Sequence, residues 1–238
     1  MALSLSKWVL LRSALLVLMW FSYYSALPFT ALSSAAAAYY TGPLFIVALL
    51  ALVARQMPKS RALLAIGIGF SGVLLIVRPD PSGFAWAAFL PVIAAFFYGC
   101  AMVITSVKCR EHDPFTLALA LNVAFIISGL FLGLFSGKEG SFTLGPWQSV
   151  SAPLVATISA LAALMIIGSV CAAIAYQRGP AATVAAFDYS YLVFSLLWGF
   201  LVFSEVPSIV GLAGIVLVVA GGVLALPWGG NREAINEP

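Results

Sequence analysis

Asp188 is the residue whose type and setting point most directly to chemistry in this chain of 238 residues. It stands in Phe187-Asp-Tyr-Ser-Tyr191, inside an apolar stretch over 181–203. About eight residues from the start of that stretch, a helix rising 1.5 Å per residue carries it roughly 12 Å deep. A carboxylate at that depth is expensive unless it faces water, a partner or a bound molecule, so it marks a candidate site. Two roles suit it: pairing with a cationic group on a ligand, or carrying a labile proton. The competing reading is a carboxyl hydrogen-bonded to a neighbouring Tyr or Ser for helix packing alone. Tyr189, Ser190 and Tyr191 extend the candidate site on the same stretch, with Tyr39, Tyr40 and Thr41 on a second and Tyr98 and Asn122 from those between. Helix-to-helix hydrogen bonding accounts for each of these polar side chains as well as ligand binding does. Trp20, with Tyr23 and Tyr24, offers stacking surface for a ring-bearing compound.

Other chemistry is refused by context. Gly67-Ile-Gly-Phe-Ser-Gly72 matches the dinucleotide fingerprint letter for letter, but the glycines lie within an apolar run and lack the strand and acidic residue that motif needs. His112 is the one histidine and falls in the polar loop Lys108–Pro114, so no Ser/His/Asp or Cys/His constellation can be assembled. Cys100, Cys109 and Cys171 have no metal-ligand spacing. No catalytic group, metal or cofactor is expected, and no Walker motif is present.

The elements that must position Asp188 are set by composition. At 63% hydrophobic, 8% charged and a mean hydropathy of +1.11, the chain has too little polar surface to cover a soluble globule. Continuous Leu/Ala/Val-rich runs predict an all-α polytopic membrane bundle of eight spans: 8–27, 32–54, 62–78, 84–107, 115–136, 153–176, 181–203 and 209–227. A barrel would show short alternating segments instead. With the N-terminus cytoplasmic, Lys7, Arg12, Arg55, Lys59, Arg61, Lys108, Arg110, Arg178 and Arg232 lie inside and only Arg78 and Lys138 outside. The net charge of +3 thus reflects topology and gives no sign of nucleic-acid binding. Pro43 and Pro91 are expected to kink their spans. Gly129, Gly133 and Gly137 are expected to allow close helix contact.

The spans also repeat. At an offset of 149 positions, Ala36, Tyr40, Phe45, Pro58 and Gly72 fall on Ala185, Tyr189, Phe194, Pro207 and Gly221, and Tyr39 falls on Asp188. That offset moves span two onto span seven, a shift of five helices, and an odd shift inverts the second copy. Inverted repeats are an architecture through which secondary transporters alternate access. Five-helix units follow, the first incomplete: 1–83 carries three spans, 84–228 five, and 229–238 is a cytoplasmic tail.

Two segments carry a family resemblance. Ala65-Ile-Gly-Ile-Gly-Phe-Ser-Gly-Val-Leu-Leu-Ile-Val-Arg-Pro79, and Phe187-Asp-Tyr-Ser-Tyr191 running to Phe203-Ser-Glu-Val-Pro207, resemble the drug/metabolite transporter superfamily, EamA type. That resemblance implies two five-helix repeats, of which this sequence lacks the first two helices, so a start upstream of Met1 is an expectation. It departs from the pattern at Gln56, where many relatives have a glutamate like Glu205. The implied function is secondary transport of a small metabolite, amino-acid-like, vitamin-like or otherwise amphiphilic, across the inner (cytoplasmic) membrane with both termini cytoplasmic. Protons are a candidate coupling ion and a homodimer a candidate assembly. The alternative is a truncated relative that does not transport and serves as a partner subunit or is defunct.

Overall fold

The computed structural model describes residues 6–29, 35, 38–53, 60–77, 89–135, 151–190, 194, 197, 201 and 209–225. In chain order its helices are α1 (Lys7–Ala26), α2 (Gly42–Val53), α3 (Ser60–Val77), α4 (Phe89–Lys108), α5 (Pro114–Gly133), α6 (Ala152–Arg178), α7 (Ala181–Phe187) and α8 (Ile209–Ala225). No strand occurs among the described residues. Helices are what such sequences must form in lipid, because only intra-segment hydrogen bonds satisfy a backbone that water cannot reach. Their starts carry ordinary caps. Asp113 Oδ2 accepts from the backbone N–H of Thr116 at 3.1 Å with Pro114 opening α5, and Ser151 Oγ accepts from the N–H of Leu154 at 3.4 Å at the head of α6.

Among the described residues, α1, α4, α5 and α6 are long and apolar enough to cross a membrane, while α2, α3 and α8 are shorter apolar helices. The outer faces confirm where lipid must lie: Ile126, Ile127 and Leu130 on α5, with Leu161, Leu164 and Ile167 on α6, are exposed. Inside, α1 packs on α4 and α5, α4 also on α2 and α6, and α7 sits among α2, α3 and α8. The most extensive contact joins α3 to α8.

That contact is reciprocal. A Cβ on Gly72 would stand 2.6 Å from the carbonyl oxygen of Gly214, and one on Gly221 would stand 2.8 Å from that of Ala65. An offset of 149 turns the first pair into the second, with the two helices antiparallel. Tyr40 and Tyr189, themselves repeat-mates, face each other at 6.2 Å between ring centroids, where the axis relating the copies would pass. Gly129 behaves otherwise than expected: a Cβ there would meet nothing within 4 Å, so it faces open space rather than a close helix neighbour. Gly137 lies outside the described residues.

Both copies break within one residue of the same place. Tyr40 and Thr41 form a turn, with Thr41 Oγ1 donating to the carbonyl of Ala38 at 2.7 Å, before α2 begins. Asp188 and Tyr189 form the matching turn at the end of α7, before helix resumes at Ser190. The kink expected at Pro43 is therefore displaced to that turn: Pro43 falls in the first turn of α2, where a missing N–H is harmless, while Pro91 lies buried in α4.

Candidate substrate site

The break at the end of α7 presents Asp188 to two phenols. Tyr98 Oη, midway along α4, donates to Asp188 Oδ2 at 2.9 Å, and Tyr176 Oη, near the end of α6, donates to the same oxygen at 2.7 Å. Hydrogen bonds from neutral donors to an ionised carboxylate are among the stronger side-chain contacts, and two of them fix its position without neutralising its charge. Asp188 itself is half-buried, so Oδ1 retains acceptor capacity for a further group.

A row of aromatic rings runs from this carboxylate along the bundle. Tyr98 lies 6.0 Å from Tyr39, Tyr39 is edge-on to Tyr23 at 5.3 Å, and Tyr23 is edge-on to Tyr24 at 6.0 Å. Trp20 stacks on Tyr24 at 5.2 Å with 22° between planes and meets Phe125 edge-on. Tyr40 closes on Tyr39 and on Tyr189. Tyr189 is fully buried, its Oη has no hydrogen-bond partner among the described residues, and it abuts α3 so closely that a Cβ on Gly69 would come within 2.5 Å of its ring.

Of the residues expected from sequence, Asp188, Tyr98, Tyr39, Tyr40, Tyr189 and Trp20 are thus joined by hydrogen bonds or ring contacts. Asn122 is placed otherwise: its Nδ2 donates to the carbonyl of Ala118 one turn back on α5, and it makes no hydrogen bond to Asp188. Ser190 follows the turn, half-buried, and Tyr191 lies outside the described residues, as do Gln56 and Glu205.

Two residues of consequence were missed by sequence reasoning. Tyr176, near the end of a span, was not singled out. The signal for it was the tight connection from Arg178 to Ala181, which makes α6 and α7 a hairpin and brings side chains four and eight residues from the turn within a tyrosine's reach. Arg12 was counted among the cytoplasmic loop cations. Instead it is only 1% exposed, with Nε donating to Thr105 Oγ1 at 2.7 Å and Nη1 to the carbonyl of Leu117 at 3.3 Å. Cys109, in the α4–α5 turn, is also fully buried, and burial pushes its thiol above the usual range although Arg12 opposes the shift.

Fold and site together define a polytopic helical membrane protein built round a carboxylate at a paired helix break. The chain belongs to the EamA-like transporter family, whose model matches residues 85–226. It is 30% identical over 171 residues to a riboflavin transporter of Rhizobium johnstonii, covering 71% of this chain and 53% of that protein. A riboflavin transporter of Vibrio cholerae is 31% identical over 185 residues, covering 76% and 58%. A pseudopaline exporter of Pseudomonas aeruginosa is 26% identical over 214 residues, covering 89% and 72%. The chain spans about half to two thirds of the length of the first curated relatives it matches. A solved crystal structure superposes with a TM-score of 0.77 at 20% identity, over 94% of this chain and 77% of that one, a likeness of fold.

Proposed function

We propose that this chain is a secondary transporter that carries a small amphiphilic metabolite across the cytoplasmic membrane by alternating access, without ATP. The observation that supports it most is Asp188, held by Tyr98 and Tyr176 at a break repeated in the partner copy at Tyr40–Thr41. Broken helices near mid-membrane expose backbone and a charge together, which is how transporters of several folds build substrate and ion sites. The row from Trp20 through Tyr23 and Tyr39 to Tyr98 favours a ring-bearing substrate, and relatives bearing the name riboflavin transporter agree with that preference. Asp188 then pairs a cationic group on the substrate or carries the coupling proton. The division into an incomplete first unit over 1–83 and a five-helix unit over 84–228, with both termini cytoplasmic, belongs to the same reading.

Uptake and efflux of a labelled panel of flavins and zwitterionic aromatic metabolites in vesicles tests it, with Asp188→Asn beside the parent. Movement of one compound that the substitution abolishes supports the assignment, and unchanged movement at every pH removes both roles of Asp188. A well-folded chain that moves none of the panel favours the partner-subunit reading.

A further inference from the structure

At the end of the bundle that carries Lys7, Lys108, Arg110 and Arg178, the described residues of α1, α4, α5 and α6 pack closely. The Lys7 and Lys108 ammonium groups sit 5.5 and 5.6 Å from the ring centre of Trp8, which fixes the start of α1 beside the end of α4. Beneath that rim Val9, Cys109, Leu117 and Ala173 pack as a cluster of their own, with no exposure, drawn from α1, the α4–α5 turn, α5 and α6. Two buried polar side chains lace this plug. Arg12 ties α1 to Thr105 on α4 and to the Leu117 carbonyl on α5. Gln177 Nε2 donates to the carbonyls of Cys109 and His112 at 2.6 and 2.7 Å, tying the end of α6 to the turn.

The chemistry of these ties suits repeated opening. Among the described residues no carboxylate pairs with Arg12, so its guanidinium is buried on a hydroxyl and a carbonyl. Burying a cation on neutral acceptors returns less than a carboxylate pair would, while opening restores its hydration, so opening costs less than breaking a buried ion pair would. The plug also stands between Asp188 and the basic face: Thr105 follows Tyr98 by seven residues on α4, about 10 Å at 1.5 Å per residue. Tyr176 and Gln177 are consecutive, one holding the Asp188 carboxylate and the other the plug.

We propose that Val9, Cys109, Leu117 and Ala173, latched by Arg12 and Gln177, form the closed gate between Asp188 and the basic face, and that Tyr176–Gln177 transmits the state of Asp188 to it. The gate rests on the transporter reading, since it presumes a passage, but its test needs no substrate.

Cys109 is a native reporter. In a Cys100→Ser, Cys171→Ser background, vesicles exposing the basic face are treated with a membrane-impermeant maleimide. Slow labelling of Cys109 is expected in that parent. Loss of one latch removes two buried hydrogen bonds, charge-assisted for Arg12 and neutral for Gln177, so labelling is expected about tenfold faster in Arg12→Gln and in Gln177→Leu. A smaller rise is expected in Tyr176→Phe, which leaves the plug intact. Val73→Cys, placed in a Cys109→Ser version and buried in α3, reports general loosening and stays protected. Fast labelling in the parent overturns the gate, as does unchanged labelling in both latch variants with Val73→Cys protected. If either variant exposes both cysteines, Thr105→Val, which keeps the guanidinium and removes only its acceptor, decides on the same criterion. Uptake measured in parallel keeps failure of the gate separate from failure of transport.

Discussion

Two phenols converging on one carboxylate oxygen make Asp188 a prepared acceptor, and the energetic weight of each can be separated. A hydrogen bond to a charged group contributes roughly 1.5–3 kcal/mol, so Tyr98→Phe and Tyr176→Phe are each expected to reduce uptake at limiting substrate by about ten- to a hundredfold. If both act only through the carboxylate, adding either to Asp188→Asn reduces uptake no further. Initial rates in vesicles, corrected for the amount of protein inserted, check this non-additivity. Asp188 and Tyr98 were legible in the sequence because an acid or a phenol deep in an apolar run has few inexpensive explanations. Tyr176 and Arg12 were not, because each sits near a span end, where hydropathy cannot tell an interfacial side chain from one turned inward. The partner of Arg12 lies 93 residues away, a separation no local pattern encodes.

Among the elements, α3 and α8 depend on bare backbone at their crossing. Adding a methyl at Gly72 or Gly221 sets a Cβ against a carbonyl oxygen, at 2.6 and 2.8 Å, and a helix backbone yields only by separating the pair. Overpacking of this kind costs typically 1–3 kcal/mol, so Gly72→Ala and Gly221→Ala are each expected to lower the thermal midpoint in detergent. Gly129→Ala, with nothing within 4 Å of its Cβ, is expected to leave the midpoint unchanged or raise it slightly. The two groups must separate, since a uniform drop in all three would mean that glycine content rather than the crossing sets stability. The repeat made Gly72 and Gly221 visible as a matched pair in sequence. At Gly129 the four-residue glycine spacing misled for a physical reason: a glycine permits close approach but supplies no neighbour. The helix breaks were half legible, since Pro43 marked the region of the first while the turns themselves fall at Tyr40–Thr41 and Asp188–Tyr189, where the polar side chains are.

For the molecule as a whole, the contacts require the charged ends of α1, α4 and α6 to share one face, since Trp8 gathers Lys7 and Lys108 and Gln177 reaches the turn that contains His112. Because basic residues are retained on the cytoplasmic side, we expect that face to be cytoplasmic. Helix α5 leaves it at Pro114 and ends at Gly133, twenty residues that span about 30 Å, the thickness of a bilayer core. Leu134, 79% exposed just beyond, must then emerge on the opposite side. In a chain freed of its native cysteines, His112→Cys is expected to react with an impermeant maleimide in inverted vesicles but not in intact cells, and Leu134→Cys in intact cells but not in inverted vesicles. Reversal of both patterns would turn the protein over and place the basic end outside, leaving the bundle intact. Reaction of both cysteines from one side would show that α5 does not cross, and Asp188 would lose the mid-membrane position on which its role as a transport site depends.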